Sequence, residues 1–305
     1  MRYLTLLAPL ALSAFSAAAG AADCQPALLG GDVSVIVDGV EIVSGGRATD
    51  NFQIRVQNQA DTGTPGAGGA GQCGATIRLA RIDPGVDPDF PPYSLSAPGN
   101  RNIEVLPDLT SGGSVDSDII IANAPSGPQG RVVPFQLNLA TEWGLRAGTY
   151  TQHLRISLVD ESGNVTDTGT LTITIIIPPT VSIRFVGAVV GGTAGAARID
   201  LGNLSSTRET RSDPFGALIL STSPYLVSFS SLNLGNLAHD RSGEKIPYRL
   251  YFEGAEVDLA GVSEFPYFSR TPPSGDRRPM SIVVAPTQAP AGRYEDRITA
   301  TVTAM

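Results

Sequence analysis

Few side chains in this 305-residue chain could do chemistry: two cysteines, Cys24 and Cys73, and two histidines, His153 and His239. No Gly-x-Ser-x-Gly, His-Glu-x-x-His or Cys-x-x-Cys pattern occurs. The spacings that activate a serine, ligate zinc or run thiol redox chemistry are therefore absent. His239 stands in the polar run Ala238-His239-Asp240-Arg241 and reads as a solvated side chain. The acids Asp87/Asp89 and Asp116/Asp118 offer carboxylate oxygens of the kind Ca²⁺ takes, but isolated alternating acids are usually just hydrated. The glycine-rich stretch from Gly63 to Gly71 is followed by neither a Lys-Ser/Thr pair nor a helix, so it reads as a flexible connection rather than a phosphate cradle. The expectation is a protein that is not an enzyme, with no cofactor and no metal.

Composition agrees. Asp and Glu number 29 against 21 Lys and Arg, for a net charge of -8. A sequence pI near 4.8 excludes the basic surface that nucleic acid requires. Lys245 is the only lysine, so no cationic membrane-surface helix is available. Hydrophobic residues make up 42% of a chain whose length suits two domains.

The first 22 residues read as a secretory signal peptide. Arg2 precedes an apolar core from Leu4 to Phe15, and small residues follow up to Ala22. Export into an oxidising compartment predicts that Cys24 and Cys73 form one disulfide, two free thiols being the alternative.

Short strands must position whatever this chain does. Period-2 alternation recurs in Val33–Val37, Phe52–Val56, Ala75–Leu79, Phe135–Leu139, Val181–Phe185 and Ile282–Val284, with glycine-rich turns between them. An internal repeat sets the domain count. Ala147-Gly148-Thr149-Tyr150 opens one strand and Ala291-Gly292-Arg293-Tyr294 opens another, each Tyr sharing a face with the apolar residues after it. Pro178-Pro179 marks the joint. The predicted fold is all-β: two tandem immunoglobulin-like antiparallel sandwiches, residues 23–178 and 179–305, after the signal peptide at 1–22.

The two copies finish differently. In the first, a turn at Glu161–Asn164 leads into Leu171–Ile177, a strand that can close its sheet. The second stops at Met305, with its Tyr-led strand, and is expected to lack the closing strand. Such a domain would leave an apolar groove and unpaired backbone groups that invite a strand from another chain. Closure by a different topology is the alternative.

The ending from Gln288 to Thr303 resembles the close of spore coat protein U domains, a Pro-Ala-Gly-x-Tyr turn before a Thr/Val-alternating strand. Ile199–Leu204 and Ile246–Tyr251 look like internal strands of that domain. These domains are pilin modules of archaic, sigma-class chaperone–usher pili, and the layout resembles the two-domain tip adhesin of that system. The resemblance covers about residues 180–305 and is thin for 23–178. It implies capping first by a periplasmic pilus chaperone, passage through an outer-membrane usher, and then complementation by an adjacent pilin subunit. Ile298, Ala300, Val302 and Ala304 would line the donor-strand groove, and the Met305 carboxylate would meet a basic anchor on the chaperone. After cleavage only Asp23 precedes Cys24, too little for a donor segment, which favours the terminal position. The second domain departs from many members in carrying no cysteine.

The resemblance also implies apolar loops at the far end of the first domain, suited to an abiotic or host surface. Three loops are candidates: Asp83–Gly99 with Phe90 and Tyr93, Thr110–Gly130 with Ile119, Ile120 and Ile121, and Thr141–Gly148 with Trp143. The bland alternative makes Ile119–Ile121 a core strand. The implied location is the periplasm and then the pilus at the cell surface. An autonomous secreted two-domain sandwich that binds carbohydrate or protein is the competing reading.

Overall fold

The computed structural model describes residues 24–59, 73–82, 87–97, 101–106, 118–125, 129–191 and 196–305. The signal peptide, the Gly63–Gly71 stretch and Asp116 lie outside them. The described residues form strands and turns, with no α-helix among them.

Ten strands surround the first core. They are β1 (Pro26–Leu28), β2 (Val33–Val37), β3 (Arg47–Asn58), β4 (Ala75–Arg81), β5 (Tyr93–Ala97), β6 (Arg101–Ile103), β7 (Ile119–Ile121), β8 (Arg131–Ala140), β9 (Gly148–Asp160) and β10 (Val165–Ile177). One sheet runs β1-β3-β8-β5-β6 and the other β2-β10-β9-β4-β7. Strict alternation decides which side chains face inward. Phe52, Ile54 and Val56 of β3 are buried while Asn51, Gln53 and Arg55 face water, and Phe52 stacks on Phe135 of β8 at 5.1 Å between ring centroids. The strand β10 lies between β9, to which it is antiparallel, and β2, to which it is parallel. Leu154, Ile156 and Leu158 of β9 and Leu171, Ile173 and Ile175 of β10 are all 0% exposed. Each such side chain contributes roughly 1.5–3 kcal/mol by leaving water. The expected disulfide is present: Cys24 and Cys73 are bonded, with Cα atoms 5.2 Å apart. It ties the residues before β1 to the entry of β4, at the end of this sandwich away from the second core.

The second core is built from β11 (Val181–Gly187), β12 (Val190–Gly191), β13 (Ala197–Arg198), β14 (Thr210–Arg211), β15 (Phe215–Ser221), β16 (Tyr225–Ser231), β17 (Asn236–His239), β18 (Lys245–Phe252), β19 (Ala255–Val257), β20 (Ser263–Tyr267), β21 (Asp276–Val284), β22 (Tyr294–Glu295) and β23 (Ile298–Ala304). The larger sheet follows β11-β15-β21-β18-β17-β22 and the smaller one β20-β16-β23. Phe229, Phe252 and Phe265 meet edge to face between them. Ile246–Tyr251, expected as a strand, falls within β18. Ile199–Leu204, also expected as one, is irregular. Asp200 Oδ1 accepts the Gly202 amide at 2.9 Å, and Gly202 sits at φ +64°. That turn breaks the extended backbone while Ile199, Leu201 and Leu204 still pack on the core.

The repeat has a shared physical basis. Tyr150 donates its hydroxyl to the Arg146 carbonyl at 2.8 Å, and Tyr294 donates to the Pro290 carbonyl at 3.0 Å, each four residues back. Both are tyrosine corners, but Tyr150 opens the 13-residue β9, whereas the expected Tyr294-led strand is split into the two-residue β22, paired with β17, and β23, paired with β16. No described strand pairs across Pro178-Pro179. The two cores meet instead through loops: Ala147 N–H donates to the Thr222 carbonyl, and Arg270 reaches back to the Gly144 carbonyl and to Asp89.

Candidate functional site

The strand β23 reads Ile-Thr-Ala-Thr-Val-Thr-Ala, so every inward position is apolar and every outward one is threonine. On one side it pairs with β16 along its whole length, from Tyr225↔Ala304 to Ser231↔Ile298. On the other side no described strand pairs with it. The strand β11 is in the same position: it pairs with β15, and no described strand pairs with its other edge. The two strands belong to different sheets and come within 8 Å at Cα without a ladder between them. Their inward residues, Val181, Ile183 and Phe185 on β11 and Ile298, Ala300 and Val302 on β23, stay half-exposed. In the first sandwich the strand placed like β11 is β1, which pairs with β3 as β11 pairs with β15, and β10 lies in the other sheet, between β9 and β2. The result is a half-exposed apolar seam between two strand edges that no described strand pairs with.

The entry of β23 is anchored by a residue that sequence reasoning missed. Asp296 Oδ2 accepts hydrogen bonds from Ser231 and Tyr248 hydroxyls, both at 2.6 Å, and Oδ1 accepts the Asn233 amide at 3.0 Å. Burial, then the bond to Asp296, pushes the Tyr248 phenol well above its ordinary value. Nothing but its place two residues after Tyr294 marked this acid in the sequence. Asp296→Ala is expected to destabilise the second sandwich by about 3 kcal/mol, since it strands hydroxyls that are nearly buried. Urea unfolding followed by Tyr fluorescence measures the loss.

His239 differs from its expected solvated state. Its side chain is 8% exposed, because the turn before Tyr294 folds over it and Gly292 leaves room where a Cβ would collide with the ring. Nδ1 accepts the amides of Arg241 and Ser242, both at 3.0 Å, which assigns the proton to Nε2, facing the Ala291 carbonyl at 3.4 Å. The imidazole is thus a structural plug beside Tyr294, with its rings edge to face at 4.8 Å.

A polar cluster closes the end of this sandwich nearest the first. Arg278 donates to Glu253 at 2.7 Å, Asp276 at 2.8 Å and the Tyr225 hydroxyl at 3.2 Å, and lies 4.1 Å from the ring centre of Tyr267. Tyr267 donates its hydroxyl to Glu253. Burial works to raise the Glu253 carboxyl, but the bonds from Tyr267 and Arg278 outweigh it and hold the group below its ordinary 4.5. A depressed acid contributes stability above its unfolded value and loses it as pH falls through the folded value. The second sandwich is therefore expected to weaken below about pH 4.5, and Glu253→Gln to flatten that slope in acid titrations of the melting temperature.

The loop residues fall in different places. Ile119 and Ile121 turn into the first core at 8% and 2% exposure, while Ile120 between them is 73% exposed. Phe90 packs against Tyr93 and Tyr150. Tyr93 donates to Gln152 at 2.6 Å, and burial pushes its phenol up to about 12, against the pull of Arg81. Trp143 is half-buried against the first core. Phe90, Tyr93 and Trp143 therefore sit at the end facing the second sandwich. There Asp89 pairs with Arg146 at 2.8 Å and with Arg270 at 3.2 Å, and Gly144 abuts Pro273. Asp118 is held by the Arg78 guanidinium through both carboxylate oxygens, and among the described residues no group of three or more His, Cys, Asp or Glu is placed to hold a metal ion. Met305 lies at the same junction, its amide donating to the Pro224 carbonyl at 2.8 Å, in the cleft that Phe268 and Arg270 also line.

No family model matches the chain, and no curated protein matches it. Solved structures do. A chain of the CsuC–CsuE chaperone–tip adhesion subunit pre-assembly complex, from archaic chaperone–usher Csu pili of Acinetobacter baumannii, is 13% identical at a TM-score of 0.45, covering 92% of this chain and 99% of that one. CfaE, the adhesive subunit of CFA/I fimbria of enterotoxigenic Escherichia coli, is 10% identical at 0.32, covering 90% and 98%. The CupB6 tip adhesin from Pseudomonas aeruginosa is 10% identical at 0.33, covering 91% and 94%.

Proposed function

We propose that the chain is a non-enzymatic surface-fibre subunit, the tip adhesin of an archaic chaperone–usher pilus, whose second sandwich is completed by a strand from another chain. One observation carries this reading: no described strand pairs with the second edge of β23, whereas the matching strand of the first sandwich, β9, has β10 on that side. The likeness to proteins named as tip adhesins accords with it. Residues 1–22 direct export. A periplasmic chaperone lends the first strand against Ile298, Ala300, Val302 and Ala304, with the Met305 carboxylate as its anchor point. An outer-membrane usher then exchanges it for the segment of the adjacent subunit. Strand addition supplies backbone hydrogen bonds for affinity and side-chain pockets for register.

Attachment falls to the first sandwich, residues 23–178. Its end away from the junction carries the Cys24–Cys73 bond and the turn at 161–164, and the exposed Ile120, Val132 and Val165 stand on strands at that end. Apolar side chains of this kind adhere to a host or abiotic surface by releasing water, without specific ligand chemistry. The test is periplasmic expression of residues 23–305 with and without the pilus chaperone of the source organism. The expected result is a low yield of an unstable, aggregation-prone species alone and a soluble one-to-one complex together. A stable monomer that ignores the chaperone would instead support an autonomous secreted binding protein.

A further inference from the structure

The seam between β11 and β23, which on the strand-addition reading is the trough for a donated strand, has one closed end. Val181 and Ala304 lie at the junction, where the linker at 178–180, Pro224 and the first sandwich crowd the exit. Gly187 and Ile298 lie at the opposite pole, where the trough opens. Direction follows from the first sandwich: β10 is antiparallel to β9. A strand placed in the same way along β23 runs from the junction outward, so its C-terminal continuation emerges at the pole.

That pole is unusually apolar. Among the described residues, the exposed large apolar side chains of the second sandwich are Val190, Leu232, Leu234, Val262, Phe268 and Met305. Phe268 and Met305 belong to the junction. Leu232, Leu234 and Val262 lie in connections at the pole and Val190 in the short β12 beyond the end of β11, at 61–78% exposure. Leu232 donates its amide to the Arg297 carbonyl, next to the mouth of the trough. The turn it opens packs through Gly235 on Leu259, three residues before Val262. Leu234 holds a left-handed backbone at φ +54°, which costs a leucine energy and gains it no burial.

Resting on the strand-addition reading above, we infer that Val190, Leu232, Leu234 and Val262 form a docking surface for the folded body of the subunit that donates the strand. The occupant follows from geometry: a donor segment filling the trough leaves at this pole, and the domain it leads into must begin there. The body's first contact is then with these side chains, and burying them adds hold to the strand's own.

The test compares two variants of the full chain in its source cells: Leu232→Ser/Leu234→Asn/Val262→Ser at the pole, with Asn chosen because it tolerates the left-handed backbone, and Phe268→Ser at the junction as control. Two quantities are read: the share of chain recovered in sheared surface fibres, and the rise in melting temperature of purified chain on adding a synthetic peptide of residues 165–177. The pole variant is expected in fibres at about one-tenth of the wild-type level, with the control unchanged and the peptide response equal in all three. Wild-type incorporation of the pole variant overturns the inference and leaves strand addition standing. Loss of the peptide response in the pole variant also overturns it, because those residues then act through the trough. A wild-type chain that answers no peptide and enters no fibre removes strand addition itself, and the docking surface with it.

Discussion

A second copy of residues 161–177 appended directly after Met305 is expected to raise the melting temperature of the second sandwich by about 10 °C. Met305 lies at the junction end of β23, and the turn at Glu161–Asn164 already connects β9 to β10 in the first sandwich. The appended strand would therefore fold back along β23 as β10 folds back along β9. Its counterparts of Leu171, Ile173, Ile175 and Ile177 would leave water, at roughly 1.5–3 kcal/mol each. Calorimetry of the fused chain reads the shift. The control fusion, with threonine at the counterparts of Ile173 and Ile175, should lose most of it. The fused chain should also no longer bind the pilus chaperone, since its trough is already filled.

Removing the disulfide should act on the other half. The bridge closes a loop with a sequence separation of 49, and in the chain-entropy model a loop of that length contributes about 4 kcal/mol. Cys24→Ser/Cys73→Ser is expected to lower the first sandwich's transition by about 10 °C and leave the second unmoved, because no cysteine lies in the second core. Two calorimetric transitions that both fall would mean the halves unfold together.

Much of this architecture could be read from periodicity. The alternating runs became β2, β3, β4, β8, β11 and β21, because a half-buried strand needs period 2 and little else competed with it. The Tyr-led repeat was legible because each hydroxyl bonds a carbonyl only four residues away, a local interaction written into a short motif. Long-range partners were not legible. Asp296, Arg278 and His239 each owe their role in part to a partner more than 50 positions away: Ser231, Tyr225 and the Ala291 carbonyl respectively. The same limit applied to the loops of the first sandwich. Composition marked Phe90, Tyr93 and Trp143 as apolar, but only the packing around Tyr150 and the second sandwich put them at the junction. The edges of β11 and β23 lie between these cases: alternation identified the strands, and only the topology shows that no described strand pairs with those edges.

Hydrogen exchange on β23 and β9 of the isolated chain tests the trough most directly. Amides of β9 should exchange slowly throughout, since β10 and β4 flank it. In β23 the amides turned toward β16 should be slow, while those turned toward β11 exchange at rates near free peptide until the peptide of residues 165–177 is added. Uniform slow exchange along β23 without any added strand would contradict the account, because the edge would then already have a partner.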